Sequence, residues 1–138
     1  MDLIQGIRER RSIRKFKDTP VPRELIREIV ETASYAPSWK NTQTAGYIVV
    51  DNREILEQIA SEDYMMGFTH NVNIIAQAPA LVIQTTAKGR SGYERDGSFS
   101  TPKKDKWEAF DAGIAAQTFC LGAYEKGLGT VIMGIFDE

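Results

Sequence analysis

The sequence is short of the residues that staple or arm many small proteins. It has one cysteine, so an internal disulfide cannot form. One histidine beside one cysteine argues against a zinc centre built from several such ligands. No apolar run approaches the roughly 18 residues that span a bilayer, and residues 1–11 hold no signal-peptide core. Positive charge is not in excess. Seventeen Lys and Arg against 19 Asp and Glu leave −2 at neutral pH. That excludes a generally basic nucleic-acid binder, though not a local basic patch. What is present is ordinary globular usage: 138 residues, 42% hydrophobic and 26% charged. A chain of this size can bury roughly two-thirds of its unfolded surface. The expectation is one domain, residues 1–138, soluble, reduced and cytoplasmic.

Periodicity predicts the elements. Residues 1–10 read as a short helix capped by Asp2, with Leu3, Ile4 and Ile7 on one face. A second helix is expected from Pro22, with Leu25, Ile26, Ile29, Val30 and Ala33 as its stripe, ended by Pro37. Residues 47–50 and 80–86 read as strands, and Asn52 as the cap of a helix carrying Ile55, Leu56 and Ile59. A short helix is expected from about Asn71. Residues 87–106 form a long polar excursion, of the kind that is functional or disordered. Residues 107–126 are apolar almost all round, which predicts a buried helix, with Gly127 as its cap. Residues 130–135 read as a third strand. Strands alternating with helices place the chain in the α/β or α+β classes.

Three segments carry candidate chemistry. From Arg8 to Lys17 there are six basic residues against Glu9 alone, a local +5. The forked guanidinium groups of Arg10, Arg11 and Arg14 suit phosphate, and Ser12 can add a hydroxyl donor. Ile13 and Phe16 interleave with these charges, as in a chain held against a core. The second segment, Ala36-Pro37-Ser38-Trp39-Lys40-Asn41-Thr42-Gln43, offers Ser38, Asn41 and Gln43. These side chains both donate and accept, so they can read the edge of a polar heterocycle, or serve as turn residues. The third runs from Gly127 to Ile135. It lacks the GxGxxG spacing and follows a helix instead of opening one, so it is no phosphate-cradling loop. Gly134 could admit a flat ligand close to the backbone or mark a bulge. His70 reads as a surface or packing histidine, and Cys120 as a buried inert thiol. No Ser-His-Asp or paired-carboxylate set stands out, and a reaction run by a cofactor needs none.

Taken in order and at these separations, the segments resemble the nitroreductase family of flavoenzymes. Arg10-Arg11-Ser12-Ile13-Arg14-Lys15-Phe16 is similar to the family's N-terminal flavin-phosphate motif, and residues 36–43 to its flavin loop. Asp111-Ala112-Gly113 through Gly127-Leu128-Gly129-Thr130 is similar to its long central helix and exit. The resemblance covers essentially the whole chain. It implies an α+β fold of three layers, with a mostly antiparallel sheet flanked by helices around a long buried central helix. It implies a homodimer with FMN at the subunit interface. Arg10, Ser12 and Arg14 would hold the phosphate and ribityl chain, and Arg11 the pyrimidine side. Asn71 would meet the isoalloxazine edge. Ser38, Asn41 and Gln43 would reach the flavin of the other subunit, and the backbone N–H groups of Gly134 and Ile135 would face its reactive edge.

The implied activity passes a hydride from NADH or NADPH to FMN, then electrons to a nitroaromatic, quinone or similar small acceptor, in a ping-pong cycle. No nucleic acid and no membrane is implied. Three departures from the pattern are visible. Thr44-Ala45-Gly46 stands where Pro-Trp often follows Gln, and Ile74 stands where a lysine often lies. Family chains also continue a few tens of residues past a position like Glu138, adding an exchanged strand and a basic phosphate contact. The alternatives are a non-catalytic flavin-binding or dimerisation module, and a nucleic-acid binder using residues 8–17.

Overall fold

The computed structural model describes residues 2–138. Met1, included in the first expected helix, lies outside them. The Asp2 carboxylate accepts from the N–H groups of Ile4 and Gln5 and so starts α1 (Leu3–Glu9). Gly6 is the buried residue of this helix, while Leu3, Ile4 and Ile7 stay 66%, 54% and 49% exposed. The apolar stripe of α1 is therefore not covered by its own chain. Pro22, the expected first helical residue, sits just outside α2 (Arg23–Ser34) as its N-cap, so the helix starts one residue later than expected. Ile26, Ile29 and Ala33 of α2 are buried, on the stripe read from the sequence.

Strand β1 (Ala45–Val50) pairs antiparallel with β2 (Leu81–Thr86), from Ala45 opposite Thr86 to Val50 opposite Leu81. Asn52 accepts from the Ile55 N–H and caps α3 (Arg53–Ile59). Helix α4 spans Thr69–Gln77, starting two residues before the expected Asn71. Leu56, Met65 and Ile75 form a core cluster, with Val50, Leu81 and Met133 packed against it.

The long helix α5 (Lys106–Glu125) is the centre of the arrangement, packing on α2, both strands and α1. One face of the sheet meets it. Tyr47 stacks on Phe119 at 5.5 Å, and its register partner Gln84 donates to the Ala112 carbonyl at 2.8 Å. The opposite face carries the pair Ile48 and Ile83, both exposed. Asp111, Ala115, Cys120 and Ala123 of α5 are buried, whereas Phe110 is exposed, so the burial expected all round is partial within one chain. Helix α5 ends in a paired cap. Leu128 N–H donates to Ala123 O (2.9 Å) and Gly127 N–H to Tyr124 O (3.0 Å), with Gly127 at φ 77°. That left-handed turn favours glycine and reverses the chain direction.

Residues 130–135 are not the third strand that their β-branched pattern predicts. Their ladder contact is one parallel bridge, between Ser12 and Thr130. No neighbouring strand continues the pairing among the described residues. Propensity alone does not make a strand without a partner edge. The segment is held by other means: Met133 on the core cluster, and Asp137 N–H donating to Tyr64 O at 2.8 Å. The α+β class stands, with a small antiparallel sheet flanked by helices.

Ile29, 1% exposed between α2 and α5, is the point where truncation should be felt most. Ile29→Ala should cost about 2–5 kcal/mol, the usual range for a cavity of that kind. Urea unfolding with an unchanged m-value checks it.

Candidate functional site

The arginine segment leaves α1 as extended backbone and runs beside the exit of α5. Ile13 N–H donates to Thr130 O at 2.9 Å. Gly129 makes this approach possible: a Cβ there would lie 2.9 Å from Ile13 Cβ, closer than side chains tolerate. A hollow of about 300 Å³ lies between the segments, lined by Glu9, Arg10, Arg11, Ile13, Tyr124 and Gly129, among others. Arg11 Nη1 donates to the Arg8 and Arg10 carbonyls at 2.6 and 2.8 Å, and Arg14 Nη1 to the Ser12 carbonyl at 3.4 Å. None of the three guanidinium groups meets a carboxylate among the described residues. Arg10 Nε is buried with no hydrogen-bond partner. A buried donor of that kind is rare in a finished structure and points to an acceptor supplied from outside the chain.

The loop after α2 is tightly wound. A short 3₁₀ turn, Trp39–Asn41, is followed by Thr42 and Gln43, and Lys40, Asn41 and Gln43 have φ of 46°, 54° and 50°. Ser38 Oγ accepts from the Gln43 N–H at 3.0 Å. Ser38 thus serves the turn, one of the two roles its sequence allowed. The side chains of Asn41 and Gln43 make no hydrogen bond among the described residues and are exposed. The loop borders a cavity of about 470 Å³, lined by Ser38, Gln43, Thr44, Tyr47, Asp111 and Ala115, among others. The Tyr47 hydroxyl is buried without a partner, and burial, with Cys120 second, pushes its pKa up.

Asp111 enters the sequence reading only as the first residue of the central-helix motif, with no role of its own. It is 5% exposed, and its Oδ2 accepts from the Trp39 N–H at 2.9 Å and from the Ser91 hydroxyl. The signal was there: a lone carboxylate on an apolar face of α5, four residues before Ala115.

The excursion at 87–106 is ordered by its own bonds. Tyr93 and Phe99 form a bridge, and Ser100 N–H donates to Gly92 O at 2.9 Å. It leans on the 38–43 loop through Lys40 Nζ to Glu94 (2.7 Å), and Trp39 of that loop pairs with Trp107 in the first turn of α5 (4.5 Å between ring centroids).

Two residues far apart in sequence meet at the third place. Asn71, 5% exposed on α4, donates from Nδ2 to the Ile135 carbonyl at 3.0 Å. The N–H groups of Gly134 and Ile135 make no hydrogen bond among the described residues. A Cβ built on Gly134 would meet no atom within 4 Å. His70 is exposed and lies edge-on to Phe68, and Cys120 is buried. Among the described residues there is no cluster of three or more metal-ligating side chains, and no helix is long and apolar enough to cross a membrane.

Residues 7–138 match the nitroreductase family model. The chain belongs to the nitroreductase family. A relative in Methanothermobacter thermautotrophicus, provisionally named NADH dehydrogenase/NAD(P)H nitroreductase, is 35% identical over 136 residues. That match covers 99% of this chain and 62% of the relative, so this chain spans under two thirds of that protein's length. A nitroreductase family protein of Clostridium novyi NT has the same fold, with a TM-score of 0.80 and 28% identity over 100% of this chain and 72% of that one. An FMN-dependent nitroreductase of Clostridium difficile R20291 gives a TM-score of 0.67 and 34% identity, over 92% of this chain and 63% of that one.

Two expected outcomes follow from these contacts. Gly129→Ala should force residues 12–13 off Thr130 and destabilise the chain by about 1–3 kcal/mol, the usual cost of overpacking, as calorimetry would record. The second concerns Glu94. Lys40 first, then the Ser100 hydroxyl, hold its carboxyl below the usual range. A lowered folded-state pKa gives a contribution fully present above the ordinary glutamate value and lost as pH falls through the lowered one. Exchange protection of residues 92–100 should therefore hold from pH 8 down to about 5 and fall off below about 4. Glu94→Gln should lose that protection already at neutral pH.

Proposed function

We propose that this chain is the flavin-binding part of an NAD(P)H-dependent oxidoreductase that uses FMN. The observation that carries this reading is the buried, unpartnered Nε of Arg10, in a basic segment with no carboxylate partner, beside Gly129 and Thr130. A dianionic phosphate supplies acceptors of the right charge for that donor set. Arg10, Ser12 and Arg14 hold the phosphate and ribityl chain in this reading, and Arg11 lines the pyrimidine side. Asn71 commits its Nδ2 to Ile135, which leaves its Oδ1 to accept from a heterocycle N–H. The free N–H groups of Gly134 and Ile135 are donors suited to an electron-rich ring edge. Asn41 and Gln43 have unspent side chains for the same ligand in a second copy.

The chemistry that bound FMN supplies is two-electron transfer, from NADH or NADPH to a nitroaromatic, quinone or similar acceptor, in alternating half-reactions. The protein's part is to bind, orient and supply fixed donors. This is consistent with the absence of an acid–base constellation around the three segments. A homodimer fits the uncovered apolar surface on α1, on the Ile48–Ile83 face and at Phe110.

An absorbance spectrum of the purified chain, with FMN added and then removed by denaturation, tests the reading. The expected result is a flavin band that travels with the protein and NAD(P)H oxidation when a nitroaromatic is supplied. A chain that stays colourless with FMN present rejects it. Flavin retention without turnover selects the non-catalytic binding module instead. The double substitution Arg10→Ala with Arg14→Ala should weaken FMN binding by at least about tenfold for each guanidinium removed, since charge-assisted bonds contribute about 1.5–3 kcal/mol each. Unchanged retention in an FMN titration would put the phosphate elsewhere.

A further inference from the structure

Asp111 is the one carboxylate that is buried among the described residues, and no cation pairs with it there. Its two bonds converge on a single oxygen, Oδ2. One donor, the Trp39 N–H, belongs to the 38–43 loop. The other, the hydroxyl of the fully buried Ser91, belongs to the 88–105 loop. A buried carboxylate requires its donors, because an unpaired one carries the full cost of desolvation. Neither loop can leave without stranding the charge. The Lys40–Glu94 ion pair joins the same two loops, and the Trp39–Trp107 ring pair holds the first loop to the start of α5.

We infer that Asp111 is a positioning residue that couples the two loops, so that a ligand ordering residues 38–43 also orders residues 88–105, which it need not touch. The inference rests on the reading that Asn41 and Gln43 meet FMN. The long polar loop, already held by its own bonds, then tightens further when the cofactor binds.

Hydrogen exchange of the full chain, with and without FMN, tests the coupling by segment. In the wild type, FMN should slow exchange at residues 38–44 and at 88–100, each by about tenfold or more, the scale of one charge-assisted bond. Ser91→Ala removes one donor and leaves the Trp39 bond. It should keep the slowing at 38–44 and lose most of it at 88–100, with FMN still bound. Asp111→Asn presents an amide oxygen that can accept both donors, and should retain the slowing at both segments. A merely structural role would change the unliganded rates and leave the FMN-linked difference intact. Slowing of both segments in Ser91→Ala, as in the wild type, overturns the inference, and so does a wild type in which FMN slows 38–44 alone. A wild type that does not bind FMN, or binds it without slowing 38–44, overturns the reading of the loop and the inference with it.

Discussion

The bond from Ile13 N–H to the Thr130 carbonyl joins two segments 117 residues apart, and Gly129 lets them touch. Much else depends on this closure. It fixes the arginine segment, which has no secondary structure of its own beyond Arg10. It lays that segment against the exit of α5, where the paired cap at Gly127 has already turned the chain. It also sets where residues 131–137 begin their path over the core cluster to Asn71 and Tyr64. Bringing such distant segments together costs loop entropy, though the cost grows only slowly with length. The helices and core between them, Ile29, Leu56 and Ile75 above all, keep the ends in register.

The elements with a local cause were legible in the sequence. Asp2 and Asn52 cap the helices they were expected to cap, because each has a carboxylate or amide oxygen within reach of free N–H groups. The α2 stripe and the α5 periodicity appear as buried faces. That the arginine segment and the glycines after α5 are neighbours was not legible: nothing in their spacing states it. The family itself was legible, since three modest motifs in a fixed order are more specific than any one of them.

What was not legible is what depends on a partner. Residues 130–135 have strand-forming side chains, but a strand is a relation between two chains of backbone, and the second is missing among the described residues. Asp111 looked like one charge in a long apolar helix, and its importance appears only when Trp39 and Ser91 arrive from two loops. Ser38 showed the same ambiguity in the other direction. Its hydroxyl was a candidate ligand contact, and the fold gives it to the Gln43 N–H. The excursion at 87–106 read as loop or disorder because its bridge of Tyr93 and Phe99 spans too few residues to register as hairpin periodicity.

The two-stranded sheet has a consequence for how the chain is made. A lone pair of strands is marginally stable in water, and the Tyr47–Gln84 face of this one is covered by Phe119 and the Ala112 carbonyl of α5. On a ribosome, residues 45–86 therefore emerge with the Leu56–Met65–Ile75 cluster but before the helix that covers the other face of the sheet exists. The arginine segment waits longer still, for Thr130. Folding from the N-terminal end, common in larger chains, gives this nascent chain little to hold. Its assembly is gated by the arrival of one late helix.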